Sequence, residues 1–445
     1  MNTKYAWLAA LSACAAAVRA GVPSIPAESI QVAQDPATRE VTVAYRLGAE
    51  GAEASPAIVT VDFETNVTGT AEGPWASIGA RNFRRLGGDV NRLVQPGERI
   101  VRWRPDHTWP NNVVTPGCFR VNFKVWLKDD PPDYLAVNIA VPGESGRRYY
   151  VSEEALPGGI ENADWCTDWL LMRHIRAAGV RWRMGSPADE TGRENNDNAK
   201  PENLRVVTLT RDYFFGVFPL TQGQWNRVMG NMTNPTNDCQ AKCDVSYEMI
   251  RYASNGGTAP GGGTWPVNKA LAENSFMQKL RNGTGIDTFD LPTSAQWEYA
   301  CRAGTTSALY SGKEITVGNG VDPAVEELAW YVKNASCLPL RVGMKKPNAW
   351  GIYDLYGSTY EWMLDWAEPI MEMAQVTDPI GPETGTKRLT SGSAWNMPAY
   401  SCRSARRGQF APNFYYPGVG IFGLRVACDV PLSEEAGQET GDGDE

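Results

Sequence analysis

One stretch of this chain gathers most of the side chains able to recognise or transform another molecule. Between Ser391-Gly392-Ser393 and Gly423-Leu424-Arg425 lie Trp395, Asn396, Met397, Tyr400, Cys402, Arg407, Gln409, Phe410, Asn413, Phe414, Tyr415 and Tyr416. Aromatic rings stack on sugars or on protein side chains, and amides add directional hydrogen bonds. On a rigidly held loop such residues make a recognition face for a glycan or a protein. Trp395, Asn396, Met397, Tyr400, Arg407, Asn413, Phe414, Tyr415 and Tyr416 form the candidate ligand-binding set. The competing reading is that half of the rings are simply core of an aromatic-rich fold. Thiol chemistry here would rest on Cys402, which must ionise to act. Imidazole chemistry has only His107 and His174 to draw on. Both read as surface or helix-end residues, His174 closing a helix at Arg173-His174.

The elements that must position these groups follow from composition. The 445 residues, 42% hydrophobic and 10% aromatic, suffice for two globular domains. Sixteen Trp and 44 Gly point to a loop-rich fold pinned by aromatics, not to a helical bundle. Lys4, the apolar run Ala6 to Val18 and Val18-Arg19-Ala20 read as an export signal cleaved before Gly21, giving a secreted or cell-surface protein. The run is too short for a stable membrane anchor. Leu11-Ser12-Ala13-Cys14 also fits a lipid-attachment motif at Cys14, but the apolar run continues past it, which favours the cleaved form. Removing residues 1–20 takes away Lys4 and Arg19 and shifts the net charge from -9 to -11. An acidic chain without a basic run excludes a nucleic-acid partner. Eight cysteines would remain, an even number that permits disulfides in an exported chain, and Cys239-Gln-Ala-Lys-Cys243 has the spacing of a local clip.

Residues 25–150 read as an all-β sandwich, immunoglobulin- or fibronectin-like. Val41, Val43, Tyr45 and Leu47 alternate with small or polar residues, and Phe119 to Leu127 alternates more cleanly still. Ile58 to Phe63, Arg99 to Trp103 and Tyr134 to Ile139 supply further strands between Pro- and Gly-bearing turns. Its role reads as spacer or docking module. Residues 165–431 change character to short strands, few helices and aromatic-rich loops, forming an α+β domain. Residues 432–445 are a Gly-rich acidic tail expected to be disordered.

Three blocks of the second domain carry a family resemblance. The first is Trp182-Arg183-Met184-Gly185-Ser186-Pro187, with Val206-Val207-Thr208-Leu209 and Phe215-Gly216-Val217-Phe218-Pro219-Leu220-Thr221 leading to Trp225. It reads as strand, turn, strand, then a helix capped by Thr221. The second is Leu291-Pro292-Thr293-Ser294-Ala295-Gln296-Trp297 through Gly304, where Thr293 and Gln296 make a capping box and Gly304 fits a helix stop. The third is Asn348 to Trp362, running into the opening stretch. In order and spacing the three resemble the formylglycine-generating enzyme, or sulfatase-modifying factor, family.

The resemblance implies a variant of the C-type lectin fold with much irregular structure. It also implies two cysteines that hold copper(I), with which oxygen oxidises a substrate cysteine, soft sulfur suiting that ion. Counting from Ser393, those two positions carry Asn396 and Ser401. Cys402 is the thiol one step away, and the resemblance favours a structural Cys301–Cys402 disulfide. Three-histidine iron, found in a second branch of the superfamily, is excluded by two histidines. The family's calcium site maps onto Asp354, Gly357, Thr359 and Glu361, oxygen donors of the kind Ca²⁺ takes; alternatively these carboxylates satisfy buried loop amides. The Trp-Asn, Cys-Arg-Ser-Ala and Gly-x-Arg pattern further resembles the variable region of lectin-fold proteins diversified by retroelements. The expectation is an exported, non-catalytic or altered binding module. The alternative is an oxidase of a protein cysteine, working through Cys402 with copper. A third reading is a structural partner acting through the sandwich.

Overall fold

The structure, a computed structural model, describes residues 7–8, 21–49, 55–66, 73–79, 85–105, 113–194, 201–231, 237–252, 271–335, 340–368 and 370–430. The cleavage site, Cys14, His107, Cys337 and the acidic tail lie outside the described residues. The chain divides into two units, one of residues 1–132, 149–159 and 430–445, the other of 133–148 and 160–429.

The first unit contains the strands β1 (Trp7–Leu8), β2 (Gln31–Gln34), β3 (Val41–Leu47), β4 (Ala57–Asn66), β5 (Trp75–Ser77), β6 (Leu86–Gly88), β7 (Arg92–Val94), β8 (Gly97–Trp103) and β9 (Phe119–Trp126). They form one sheet ordered β1-β2-β3-β8-β6 and another in which β4 pairs with β5, β7 and β9, every pairing antiparallel. Both sheets feed one apolar cluster: Val41, Val43, Tyr45, Val101 and Trp103 from the first, Val59, Phe63, Phe119 and Val121 from the second. Phe63 touches Trp103 at 4.9 Å and Phe119 at 5.4 Å between ring centroids. Period-two alternation thus becomes one dry face per strand, each buried Val or Phe contributing about 1.5–3 kcal/mol.

The second unit begins with β10 (Tyr134–Asn138). This corrects the sequence reading that put Tyr134 to Ile139 in the first domain. Its partner is β12 (Trp169–Ile175), in the register Tyr134↔Arg173 to Asn138↔Trp169. The chain leaves the unit through β11 (Arg147–Tyr150) and returns at residue 160. β12 also pairs with β15 (Tyr213–Gly216), which pairs with β23 (Ala427–Asp429). The expected helix at Arg173-His174 is therefore a strand, because Trp169 to Ile175 is bonded on both edges. His174 is buried, with Nε2 3.3 Å from Asp212 and its ring against Phe214. β13 (Val180–Met184), β14 (Arg205–Leu209) and β19 (Gln375–Thr377) form a three-stranded sheet with β13 at one edge. β16 (Ala329–Trp330) pairs with β17 (Tyr356–Gly357). β21 (Gly408–Phe410), β20 (Arg388–Ser391), β18 (Tyr360–Trp366) and β22 (Phe422–Gly423) make the last sheet in that order.

The helices are short: α1 (Gln222–Met229), α2 (Tyr247–Arg251), α3 (Phe276–Thr284), α4 (Ser294–Arg302) and α5 (Pro323–Glu326). Thr221 and Thr293 each build the capping box read from sequence, with Gln224 and Gln296. The left-handed residue ending α4 is Ala303, one position before the expected Gly304. All nine residues of α4 are buried. Its polar members survive burial because Glu298 pairs with Arg302 and Arg407, and Asp365 of β18 accepts the Ser294 N–H at 2.8 Å.

Asp365 gives a pH-dependent contribution with a defined sign. Burial raises its carboxyl to about 6 from 3.8, against the opposing hydrogen bond from Ser294. The unfolded chain releases this proton first, so stability falls as pH rises from about 4 through about 6. Asp365→Asn keeps an acceptor for Ser294 and removes the ionisation. Between pH 4 and pH 7.5 it is expected to gain about 2 kcal/mol relative to the parent protein. Urea unfolding at the two pH values measures this, and an unchanging difference would show that Asp365 is already ionised at pH 4.

Candidate functional site

Two loops clasp each other at the centre of the candidate region. The Gly357 N–H donates to the Gly392 carbonyl at 2.6 Å, Ser358 N–H to Trp330 at 2.9 Å, and Trp395 N–H to Ser358 at 3.1 Å. Gly357 has φ +70, and a Cβ there would lie 2.0 Å from the Trp330 carbonyl oxygen, so only glycine permits the approach. Within this clasp Asn396 Oδ1 and Ser401 Oγ are buried without a hydrogen-bond partner among the described residues. Cys402 is fully buried, and desolvation pushes its thiol up to about 12 despite the neighbouring Ser393 hydroxyl.

The expected Cys301–Cys402 disulfide is not formed; both are free, buried thiols. Cys301 lies 3.8 Å from the hydroxyl of Ser404, two positions beyond Cys402, while Cys402 adjoins Ser393. The bridge in this unit is Cys166–Cys239, which also replaces the local Cys239–Cys243 clip and leaves Cys243 free. Nothing in the spacing of Cys166 pointed to it.

Of the expected calcium ligands, Glu361 is engaged by a guanidinium. Both oxygens of Glu361 face Arg425, which donates from Nη2 at 2.8 Å and from Nε at 3.1 and 3.0 Å, and Glu361 Oε2 also accepts the Trp297 indole N–H at 2.6 Å. A divalent ion on Glu361 would sit against a guanidinium. Asp354, at φ +53, accepts the Gly343 N–H through Oδ2 at 2.5 Å, and burial raises its carboxyl to about 6. Asp354 Oδ1 and Thr359 Oγ1 are buried without hydrogen-bond partners among the described residues. No group of three His, Cys, Asp or Glu side chains able to hold a metal occurs among the described residues. Glu361 thus satisfies the protein's own donors through both oxygens, and Asp354 does so through Oδ2 alone.

The ligand-binding set separates into interior and surface. Arg407 is interior: it donates to Glu298 at 2.6 Å, to Ser294 Oγ at 3.1 Å and to the Pro201 carbonyl at 3.0 Å, and is 4% exposed. This corrects its assignment to the binding face, since a guanidinium buried among these partners does not reach the surface. Trp395, Asn396, Met397, Tyr400 and Phe414 are half-buried, while Asn413, Tyr415 and Tyr416 are exposed. Trp395 donates to the Val419 and Gly420 carbonyls at 3.2 and 3.1 Å, and Asp244 accepts the Gly418 and Gly420 N–H groups. These bonds hold the 411–420 loop at its base. The rings form a column from the core outward: buried Trp362 on Phe422 (5.4 Å), Phe422 on Phe410 (4.7 Å), Phe410 on Phe414 (5.3 Å), and Phe414 on Tyr416 (5.8 Å). Tyr416 closes it, 53% exposed. Sequence reasoning missed Asp244, an ordinary acid 174 residues from the loop it supports.

A family model described as a sulfatase-modifying factor enzyme 1-like domain matches residues 174–430. The chain belongs to that family. It is 29% identical over 245 residues to "Chaperone protein LppX" of Paenibacillus barcinonensis, covering 48% of this chain and 80% of that protein. It is 30% identical over 159 residues to the formylglycine-generating enzyme of Streptomyces coelicolor, covering 34% of this chain and 49% of the enzyme. With the Mus musculus formylglycine-generating enzyme the identity is 28% over 152 residues, 31% of this chain and 39% of the enzyme. The chain thus spans half or less of the two enzymes' length. Among solved structures, "Treponema denticola variable protein 1" aligns over 59% of this chain and 95% of its own, with 23% identity and a TM-score of 0.43. PvdO from Pseudomonas aeruginosa aligns over 58% and 94%, with 20% identity and a TM-score of 0.45.

In this sulfatase-modifying-factor domain a copper(I) site does not fit the residues present. Asn396 and Ser401 offer hard oxygen and nitrogen, and Cys301 and Cys402 are held protonated by burial, each at about 12. What the arrangement offers is a rigid, aromatic, hydrogen-bonding surface.

Proposed function

We propose that this sulfatase-modifying-factor domain is a non-catalytic binding module that holds another polypeptide outside the cytoplasm, through Asn413, Phe414, Tyr415 and Tyr416 with Trp395 and Met397 at the rim. The observation that carries the reading is the ring column ending in exposed tyrosines on a loop tied down by Asp244 and Trp395. Pre-organised tyrosines bury large amphipathic area at small entropic cost, which is why they dominate binding hot spots. A polypeptide is favoured over a glycan because the relative matched along 80% of its length carries the name of a chaperone protein. Export is supported by the basic, apolar and small-residue pattern of residues 1–20.

Peptide and glycan arrays probed with the mature protein test the reading. Tyr416→Ala is expected to weaken binding of any peptide found by at least about ten-fold, roughly 1.4 kcal/mol, with the unfolding midpoint unmoved. Binding to glycans alone would replace the partner class, and undiminished peptide binding by the variant would move the site elsewhere. A parallel assay offers a Cys-x-Pro-x-Arg peptide with copper(I), oxygen and reductant. Formylglycine appearing in that peptide would overturn the non-catalytic assignment and restore Cys402 as the residue to mutate.

A further inference from the structure

A second concave site lies far from the aromatic loop in sequence and chemistry. A cavity of about 370 Å³ is lined by Arg181, Trp182 and Arg183 of β13, by Tyr299 and Arg302 of α4, and by the Gly304–Thr306 turn that follows it. Its charge is unusual for a chain of net charge -9. Arg183 is exposed and has no hydrogen-bond or ion-pair partner among the described residues. The Arg181 guanidinium, also exposed, bonds among the described residues only the neutral Gln375 amide oxygen, at 3.0 Å. Arg302 at the cavity wall is itself occupied, by Glu298 and by the Ser307 and Gly185 carbonyls, so the available charge is that of Arg181 and Arg183. Trp182 adds a wall whose indole N–H is buried with no acceptor among the described residues. Its ring packs on Tyr299 at 5.4 Å, giving the cavity a rigid apolar side.

We propose that this cavity is an oxyanion site, taking a sulfate, phosphate or carboxylate group carried by a small organic ligand. Guanidinium groups match the planar geometry of such oxyanions and form charge-assisted hydrogen bonds to them. Positive charge left uncompensated beside a concave surface raises the local anion concentration. The competing explanation is that the two arginines only guard β13, an edge strand, against pairing with another chain.

The experiment is calorimetric titration of the mature full-length protein, at low salt, with inorganic sulfate, inorganic phosphate and glucuronate in turn. At least one probe is expected to bind with one-to-one stoichiometry. Arg183→Ala and Arg181→Ala should each raise its Kd at least about ten-fold, and the double variant should abolish binding. Arg183→Gln, which keeps the packing of the stem, should match the alanine variant. Arg341→Ala, at a different cavity, and Tyr416→Ala should leave the Kd unchanged, so this site and the proposed peptide face fail independently. If no probe binds, or if binding survives in the double variant (an adventitious ion only), the arginines are edge guards and the proposal is overturned.

Discussion

Arg425→Ala is expected to destabilise the second unit by about 3–5 kcal/mol, the range for breaking one side of a buried ion pair. Arg425 is 0% exposed and does more than neutralise Glu361. Its Nη1 donates to the Gly216 and Val217 carbonyls at 2.9 and 3.0 Å, and its Nη2 to the Tyr353 carbonyl at 2.9 Å. One guanidinium therefore ties the end of β15 and the 353–354 turn to the first residues of β18. Truncation leaves a carboxylate without its counter-charge and takes a donor from each of three carbonyls, of which Val217 keeps the Tyr353 N–H, in a place water does not reach. Arg425→Lys should recover little, since a single ammonium cannot span partners arranged around a planar fork. Arg425→Met combined with Glu361→Gln should lose less than Arg425→Met alone, because no unpaired charge then remains. Urea unfolding followed by tryptophan fluorescence gives the differences. A loss below about 1 kcal/mol for Arg425→Ala would mean that Glu361 finds solvent or another cation, contrary to this geometry.

The same arginine shows where sequence stops being informative. The β3 alternation and the Thr221 and Thr293 caps are local, with the deciding residues within six positions of one another, and the structure has them as read. Burial of a charged side chain is not local. Arg407 and Glu298 stand 109 residues apart, and Arg403 reaches Glu190 and Glu202 across 213 and 201. Read alone, each arginine signals a surface, which is why Arg407 was placed with the ligand-binding residues. Aromatic residues carry the opposite ambiguity. Phe414 and Tyr416 sit two positions apart with equal claim to core or surface, and only the stack from Trp362 outward ranks them. The unit of Tyr134 to Asn138 was misassigned for a related reason: alternation identifies a strand but not which sheet completes it. His174 fell into the same gap, its strand character set by neighbours on β10 and β15.

Replacing both Cys166 and Cys239 by serine is expected to cost about 4 kcal/mol, from loop-closure entropy returned to the unfolded chain. The bridge closes a loop of 73 residues that includes β12 to β15 and α1. Its surroundings raise the stakes beyond that entropy. The Thr221 hydroxyl donates to the Cys166 carbonyl, and Gln224 donates to the Trp165 and Trp169 carbonyls at 2.8 Å, so the capping box of α1 is docked on the cystine segment. A cavity of about 370 Å³ lined by Trp165, Phe218, Arg341, Met344 and Tyr353 opens beside the same sulfur pair. Freed from the bridge, this corner should become the first part of the second unit to exchange its amide protons. The expected signature is a lower urea midpoint for Cys166→Ser/Cys239→Ser, matched by the parent protein in reductant, with no further effect of reductant on the variant. Reductant leaving the parent midpoint unchanged would show that the bridge is absent in solution. A unit that loses this much stability on reduction persists only where thiols are oxidised, so the same titration tests the export reading of residues 1–20 without any knowledge of the ligand.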